Sequence, residues 1–475
     1  MTPVMNDPTL ACIEKYQNHP SIVNIKGFMA SHHLNQKFSF SSCDIQSIHF
    51  EINKLSTSKS SPKDSIPANI IKDNSDIFAK KIHLDLQRAI HDGFFRDNLK
   101  LADVSPIFKK GNRLDKSNYR PVSILSPMSK VFERLLFAQI NGYMDSKLSI
   151  FQCGFRKDMS PQNCLLFIIE KWKKCLDKNG AAGILLTDLS KAFDSIDHEL
   201  LIAKLEAYGF TYDALNLIHS YLSNRYQRVR INSSFSFWLE LLFGVPQGSI
   251  LGPILFNIFL ADMFLFVVDT DIANFADDNS PFFCSTDTDT VIKQLQKESE
   301  VLLNWFVNNR FKANPDKFHL LLSEPNKTYS IQLDQFVIEN STCEKLLGIS
   351  LDSYLSFDEH VSNLCNKASQ KLHALNRVSR FINFHQKRII MKSFIMSQFG
   401  YCPLVWMFTS RTLNHRINRI HERALRIAFN DQSSSFEDLL CRDNSVTTHV
   451  RNLRSLAIDL FKKVKDISPD VIRNI

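Results

Sequence analysis

A chain of mixed helices and strands, built as more than one domain, is what this sequence predicts, and three observations carry that reading. The first is size. At 475 residues the chain exceeds what one hydrophobic core serves, so about two to four domains or subdomains are expected. The second is balance: 44% hydrophobic and 22% charged residues, with 38 Phe, suit substantial cores and argue against disorder. The third is pattern. Short apolar runs of strand type alternate with amphipathic helical segments, and after Asp358 the strand signals stop and helix remains.

Residues 1 to 40 are mixed and polar with few periodic cues, and His32 and His33 read as surface residues. From Asp44 to Leu55, Ile45, Ile48, Ile52 and Leu55 recur at helical spacing. Ser56 to Ser65 is a Ser/Lys/Pro loop, and Ile66 to Phe94 is two helices. Pro106 to Phe108 reads as a strand entering a basic turn, Lys109-Lys110-Gly111-Asn112, with Tyr119 to Ile124 as the return. Ser126 caps a helix whose first residue is Pro127. Gly183 to Thr187 is a continuous apolar run, the pattern of a strand buried on both faces, and it ends on Asp188. Val229–Ser233 and Phe237–Phe243 form a hairpin. After a turn at Gly244–Gly248, Ser249 caps an apolar helix, Ile250–Phe266. Asn257 and Asp262 interrupt this stretch, which favours a buried helix over a membrane span. Asp271–Phe275 is a strand and Pro281–Cys284 its return. Val291–Asn308 is an amphipathic helix, and the turn Pro315-Asp316-Lys317 leads into a strand, Phe318–Leu322.

The net charge of +8 suits a polyanionic partner. Ten scattered cysteines form no Cys-x-x-Cys pair, and they read as reduced, mostly buried thiols of an intracellular protein, nuclear or cytoplasmic. The amino terminus lacks the basic start and apolar core of a secretion signal. No membrane partner is expected.

The chemistry concentrates at Asn274-Phe275-Ala276-Asp277-Asp278, which puts two adjacent carboxylates in a hairpin turn. Carboxylates that close raise one another's pKa unless a cation sits between them, and Mg²⁺ prefers such oxygen ligands. Taken singly, Asp188 reads as a helix N-cap, and Asp194 as another. If the strand ending at Asp188 neighbours the hairpin, three carboxylates converge, a set able to hold two divalent ions that clamp the attacking and leaving oxygens of a phosphoryl transfer.

Thr187-Asp188-Leu189-Ser190-Lys191-Ala192-Phe193-Asp194-Ser195-Ile196-Asp197-His198 resembles the first catalytic motif of reverse transcriptases, in the form used by non-LTR (LINE-type) retrotransposons. Val245 to Pro253 resembles that family's second palm motif, and Phe275-Ala276-Asp277-Asp278 its aromatic-x-Asp-Asp turn. Asn314 to Lys317 resembles the next motif, and Leu347-Gly348-Ile349 the primer grip. Upstream, Asn118 to Ser123 resembles the fingers motif and Gly154-Phe155-Arg156 the segment after it. Order and spacing agree over residues 90 to 430.

The resemblance implies an α+β right-hand polymerase fold, with fingers, a palm carrying an antiparallel sheet, a helical thumb and a helical tail. Its boundaries would be a linker segment over residues 1–43, fingers and palm over 44–345, thumb and basic post-thumb region over 346–430, and the tail over 431–475. It implies RNA-directed DNA polymerase activity with two Mg²⁺ ions, Mn²⁺ being an alternative. The partners implied are an RNA template, a DNA primer or target site, and dNTPs. Asp188, Asp277 and Asp278, with the Leu189 carbonyl, would hold the metals, and Lys317 would protonate pyrophosphate. Lys109 and Arg120 would neutralise the triphosphate. Phe193 would exclude a 2′-hydroxyl, which argues against an RNA-templated RNA polymerase, while Gln247 and Gly248 would shape the nucleotide pocket. Arg156 would contact template or nucleotide. Arg416, Arg419, Arg423 and Arg426 form a stripe at helical spacing suited to phosphates, beside an apolar face of Leu413, Ile417, Ile420, Ala424 and Ile427. His198 reads as structural, and Tyr401, Trp406 and Phe408 as core.

The sequence also departs from the family pattern. Phe275 replaces the usual Tyr. Asn279 and Pro281 stand where a small hydroxyl residue and an apolar residue are commoner, and Pro281 is expected to distort the return strand. Ser61 to Asp64 lacks a usual glycine, and Phe318 replaces Thr. The segment before Asp44 is too short for an apurinic-type endonuclease, and the tail after Phe429 shows no zinc ligands. The expectation is therefore a polymerase-bearing fragment whose endonuclease is lost or encoded upstream. The alternative is a decayed or co-opted copy that binds RNA without synthesis.

Overall fold

The computed structural model describes residues 7–465 and 468–473. The chain divides into two compact units, each assembled from separated stretches: Met1–Ser149, Leu189–Val268 and Val301–Asn314 in the first, Ile150–Asp188, Asp269–Glu300 and Pro315–Ile475 in the second.

In the first unit, the amino-terminal residues without periodic cues form two helices, Pro8–Tyr16 and Pro20–Ser31. Their start signals are caps rather than periodicity. Asp7 accepts from the Thr9 and Leu10 amides, His19 accepts from Ser21, and a proline follows each cap, where its missing N–H costs nothing. The expected basic hairpin forms from Ala102–Phe108 and Tyr119–Leu125, antiparallel, with Ile107 opposite Arg120. Ala102–Phe108 also pairs in parallel with Tyr226–Ile231. The latter's expected hairpin partner is broken into two short pieces, Ser234–Phe235 and Leu239–Glu240.

The apolar helix is indeed buried, but it ends at Ala261, and a short helix follows over Met263–Phe266. The break falls on Asp262, whose carboxylate accepts from the Lys204 ammonium at 2.6 Å and from the Trp305 indole at 2.9 Å, all three deeply buried. A buried carboxylate is tolerated only with such partners. No helix among the described residues is long and apolar enough to cross a membrane.

The second unit carries a six-stranded sheet in the order Ser330–Leu333, Phe336–Ser341, His319–Leu322, Ala181–Leu186, Asp278–Ser285, Asp271–Phe275. Its pairings are antiparallel except that Phe336–Ser341 runs parallel to His319–Leu322. Ala181–Leu186 sits mid-sheet and is buried at every residue, as its unbroken apolar run requires. Pro281 leaves the return strand in register. Ile184 pairs with Phe282, the ladder lapses beside Pro281, and it resumes where the Thr187 amide reaches the Asn279 carbonyl at 3.2 Å. The missing proline N–H thus costs local bonds and no register shift.

One core runs through this unit, from the Trp172–Phe282 stack to the helices Asp358–Val378 and Arg411–Phe429. Leu413, Ile417, Ile420 and Ala424 are buried as one face, and Ile427 is half-buried. Of the three aromatics expected in the core, only Trp406 is buried; Tyr401 and Phe408 are exposed. Tyr401 instead covers the tight turn at Leu347-Gly348, its hydroxyl donating to the Leu347 carbonyl at 2.8 Å. All ten cysteines are free thiols.

Candidate active site

In the second unit the strand ending at Asp188 and the hairpin carrying Asp277-Asp278 are neighbours. Thr187 bonds Asn279 in the established register, so the next residue, Asp188, stands opposite Asp278. The hairpin turns through Ala276 and Asp277 between the paired residues Phe275 and Asp278. Asp277 and Asp278 are exposed and Asp188 is half-buried. Three carboxylates therefore mark one end of the sheet.

The turn is tight and strained. Ala276 has φ +59°, a left-handed conformation costing a residue with a Cβ about 1–2 kcal/mol. The segment before Arg156 lies along the hairpin's open edge: the Cys153 amide bonds the Asn274 carbonyl at 3.0 Å, and Gln152 bridges Asn274. A Cβ on Gly154 would come within 2.3 Å of the Ala276 nitrogen, so only glycine fits there. Arg156 follows directly, its guanidinium against the Gln152 carbonyl at 3.5 Å.

Lys317 lies beside Asp188, its ammonium 3.1 Å from one carboxylate oxygen, and both side chains are partly exposed. The site thus already accepts a positive charge at Asp188. Carboxylate oxygens at the end of one sheet are the hard donors that Mg²⁺ takes, so the donor chemistry fits a divalent cation. Among the described residues, however, no three His, Cys, Asp or Glu side chains are gathered closely enough to hold a metal as they stand.

Most of the remaining predicted residues lie in the first unit. Leu189 is buried and bridges Ala313. Phe193 is half-buried and stacks on the buried Phe256, centroids 4.2 Å apart and planes 8° apart. The Gln247 carboxamide donates to Asp194 at 3.1 Å, and the Gln247 main-chain carbonyl accepts from the Ser123 amide at 2.7 Å. Burial pushes the Asp194 carboxyl up, against the Gln247 bond and the nearby Lys191 charge. Gly248 has φ +122°, and a Cβ there would meet the Ser123 carbonyl at 2.5 Å. Asp194 is not the expected helix cap: Asp197 takes that place, accepting from the Leu200 amide at 2.9 Å. His198 is structural, its Nε2 within 2.6 Å of the Gly244 carbonyl, and burial lowers its pKa. Lys109 and Arg120 are exposed on the two arms of the basic hairpin. In the second unit, Arg416, Arg419 and Arg423 are exposed on their helix, whereas Arg426 is half-buried and paired with Glu422.

Two groups of functional interest escaped sequence reasoning. One is the pair Asn274 and Asn279 beneath the turn. The other is Glu133, a buried carboxylate behind the Gln247-Gly248 loop that accepts from the Ile250 and Leu251 amides. Asn279 did carry a signal, being a departure from the family pattern; Glu133 carried none.

A strand-end carboxylate opposite an Asp-Asp hairpin is an arrangement of the kind that can hold divalent cations for phosphoryl transfer. The chain belongs to one family: residues 107–351 match the model of the family described as Reverse transcriptase (RNA-dependent DNA polymerase). That family uses divalent metal. The chain is 28% identical over 352 residues to a probable RNA-directed DNA polymerase from transposon BS of Drosophila melanogaster, covering 70% of this chain and 38% of the relative. It is 25% identical over 396 residues to the RNA-directed DNA polymerase from mobile element jockey of Drosophila funebris, covering 79% and 42%. A Pol polyprotein from the type-1 retrotransposable element R2 of Nasonia vitripennis is 27% identical over 153 residues, covering 31% and 14%. The chain therefore spans about two-fifths or less of the length of these relatives.

Proposed function

We propose that the chain is the polymerase of a non-LTR retrotransposon, synthesising DNA on an RNA template by transfer of nucleotidyl groups from dNTPs to a primer 3′-hydroxyl. One observation carries this reading: the register that sets Asp188 opposite Asp278 at the end of one sheet, beside the turn holding Asp277.

In this reading Asp188, Asp277 and Asp278, with the Leu189 carbonyl, would hold two Mg²⁺ ions, or Mn²⁺ in their place. When bound, such ions would supply charge neutralisation for the phosphoryl transfer. The primer 3′-hydroxyl gives up its proton to water as its oxygen attacks the α-phosphorus, the bond to the oxygen bridging to the β-phosphate breaks, and pyrophosphate leaves. Lys317, now paired with Asp188, yields that carboxylate and hands its proton to the pyrophosphate. Lys109 and Arg120 hold the triphosphate, Phe193 closes against a 2′-hydroxyl, and Gln247 and Gly248 shape the base-pair pocket. Arg156 contacts template or nucleotide. Arg416, Arg419 and Arg423 bind phosphates; Arg426 joins them by leaving Glu422. Fingers and palm occupy residues 44–345, with the thumb and post-thumb region at 346–430. The enzyme acts inside the cell.

The test is primer extension on poly(rA) with an oligo(dT) primer, dTTP and Mg²⁺, wild type beside Asp277→Ala. Extension should fall by about 10²-fold or more in the variant, as when one preorganised electrostatic partner is removed. A folded, RNA-binding wild type that extends nothing would overturn the enzyme and leave an RNA-binding copy in its place.

A further inference from the structure

Beneath the catalytic turn lie two amide side chains to which no chemical step has been given. Asn274 and Asn279 face each other across the hairpin, and both are fully buried. The Asn274 Nδ2 donates to the Ala276 carbonyl at 2.9 Å and to the Asn279 Oδ1 at 2.8 Å. The Asn279 Nδ2 donates in turn to the Asp277 carbonyl at 3.2 Å. Both peptide carbonyls of the turn are thus held from below by side-chain donors.

The same network reaches the other catalytic strand. The Asn279 main-chain carbonyl accepts from the Thr187 amide at 3.2 Å and from the Thr187 hydroxyl at 2.6 Å, one residue before Asp188. An unbroken path of hydrogen bonds therefore ties the strand of Asp188 to the peptide of Asp277. Stability alone does not account for this choice of residues. The Asn274 Oδ1 is buried with no partner, which burdens the fold. A pair of aliphatic side chains would avoid that burden but would leave the two turn carbonyls unheld.

We propose that the Asn274–Asn279 amide pair is a positioning device that fixes the spacing of Asp188 from Asp277 and Asp278, and so sets the affinity of the site for its divalent cations. The proposal rests on the reading of those three aspartates as metal holders. Neither asparagine touches metal or substrate; each acts through the peptide of the turn. Outer partners of this kind typically alter metal affinity or activity by about 10–100-fold when removed.

The experiment compares Asn279→Ser and Asn274→Ser with wild type and Asp277→Ala. Each protein is assembled on poly(rA) with a dideoxy-terminated oligo(dT) primer and dTTP, so that no turnover occurs. Free Mn²⁺ is then titrated by its paramagnetic resonance signal, and the Mg²⁺ midpoint of extension is read separately with an extendable primer. Both asparagine variants should fold and bind primer–template as wild type does. Their Mn²⁺ dissociation constant and Mg²⁺ midpoint should each rise about tenfold, with KM for dTTP unchanged. Asn279→Gln, which keeps the donor, should recover part of the loss. If Asp277→Ala abolishes metal binding while both serine variants titrate like wild type, the positioning role is overturned and the catalytic reading stands. If Asp277→Ala itself binds Mn²⁺ normally, the catalytic reading fails first. Should a serine variant not fold, the Gln variant and the remaining serine variant decide by the same titration.

Discussion

A phenylalanine can discriminate sugars only if its ring cannot retreat. Phe193 meets that condition through Phe256, a fully buried ring lying parallel beneath it and itself packed near Phe311. If Phe193 lies against the sugar as proposed, shortening the side chain opens space for a 2′-hydroxyl. Phe193→Val should therefore raise the kcat/KM for UTP relative to dTTP by about 10–100-fold, the range that a change of a few carbons in a packed pocket produces. An unchanged ratio, with normal dTTP incorporation, would remove Phe193 from the sugar pocket. Phe193 was picked out by the resemblance of its motif to the family's, since by itself it reads as a core phenylalanine. Asn274 and Asn279 were not, because a buried amide and a solvated loop amide are written with the same letter. What distinguishes them is burial and a cross-strand partner, and neither is local. Asp194 illustrates the converse. Its offset suited a helix cap, yet Asp194 ends a 3₁₀ turn, Ala192–Asp194, and the cap falls three residues on, at Asp197.

Elements were legible where their stabilising groups are close in sequence. Ser126 and Pro127 start their helix from within, and the Asp277 hairpin closes on its own neighbours. The apolar helix Leu251–Ala261 is different, since part of its start is supplied from far away. Glu133, wholly buried, takes the Ile250 amide at 2.6 Å and the Leu251 amide at 3.1 Å, and its other oxygen accepts from Ser129 at 3.1 Å. A carboxylate at a helix amino terminus meets both unpaired donors and the positive end of the helix dipole. Glu133→Ala leaves those donors buried and bare, and should cost about 3 kcal/mol; Glu133→Gln keeps an acceptor and should cost about 1 kcal/mol. Urea unfolding of the two variants beside wild type measures the difference. Equal midpoints for Ala and wild type would mean that water reaches these amides and that Glu133 caps nothing. Because this loop carries Gln247 and Gly248, the Ala variant should also raise KM for dTTP.

Across the whole molecule, the sequence announced the presence of strands and helices better than their assembly. Each unit takes its residues from three stretches of chain, and the pairings that join them span long separations that no local pattern encodes. One consequence of assembly concerns acid. In the second unit two histidines are buried against the protonated form. His360 accepts the Ser350 amide at its Nδ1 at 3.3 Å, which requires that nitrogen to be bare, and its Nε2 is buried without a partner. His421 lies against Phe436 with its Nδ1 likewise unpartnered. Burial lowers both from 6.5 to about 4. In the unfolded chain each imidazole takes up its proton near pH 6.5, whereas in the folded unit it does so only near pH 4. Stability from this source is therefore whole above pH 6.5, declines as the pH falls through that window, and is exhausted by pH 4. Each tenfold difference in proton affinity between the folded and unfolded chain is worth about 1.4 kcal/mol, so each histidine contributes on the order of 3 kcal/mol to that decline. The thermal midpoint should fall between about pH 6.5 and pH 4, and His421→Phe or His360→Asn should flatten the slope. A slope identical in both variants would assign the acid sensitivity to carboxylates instead.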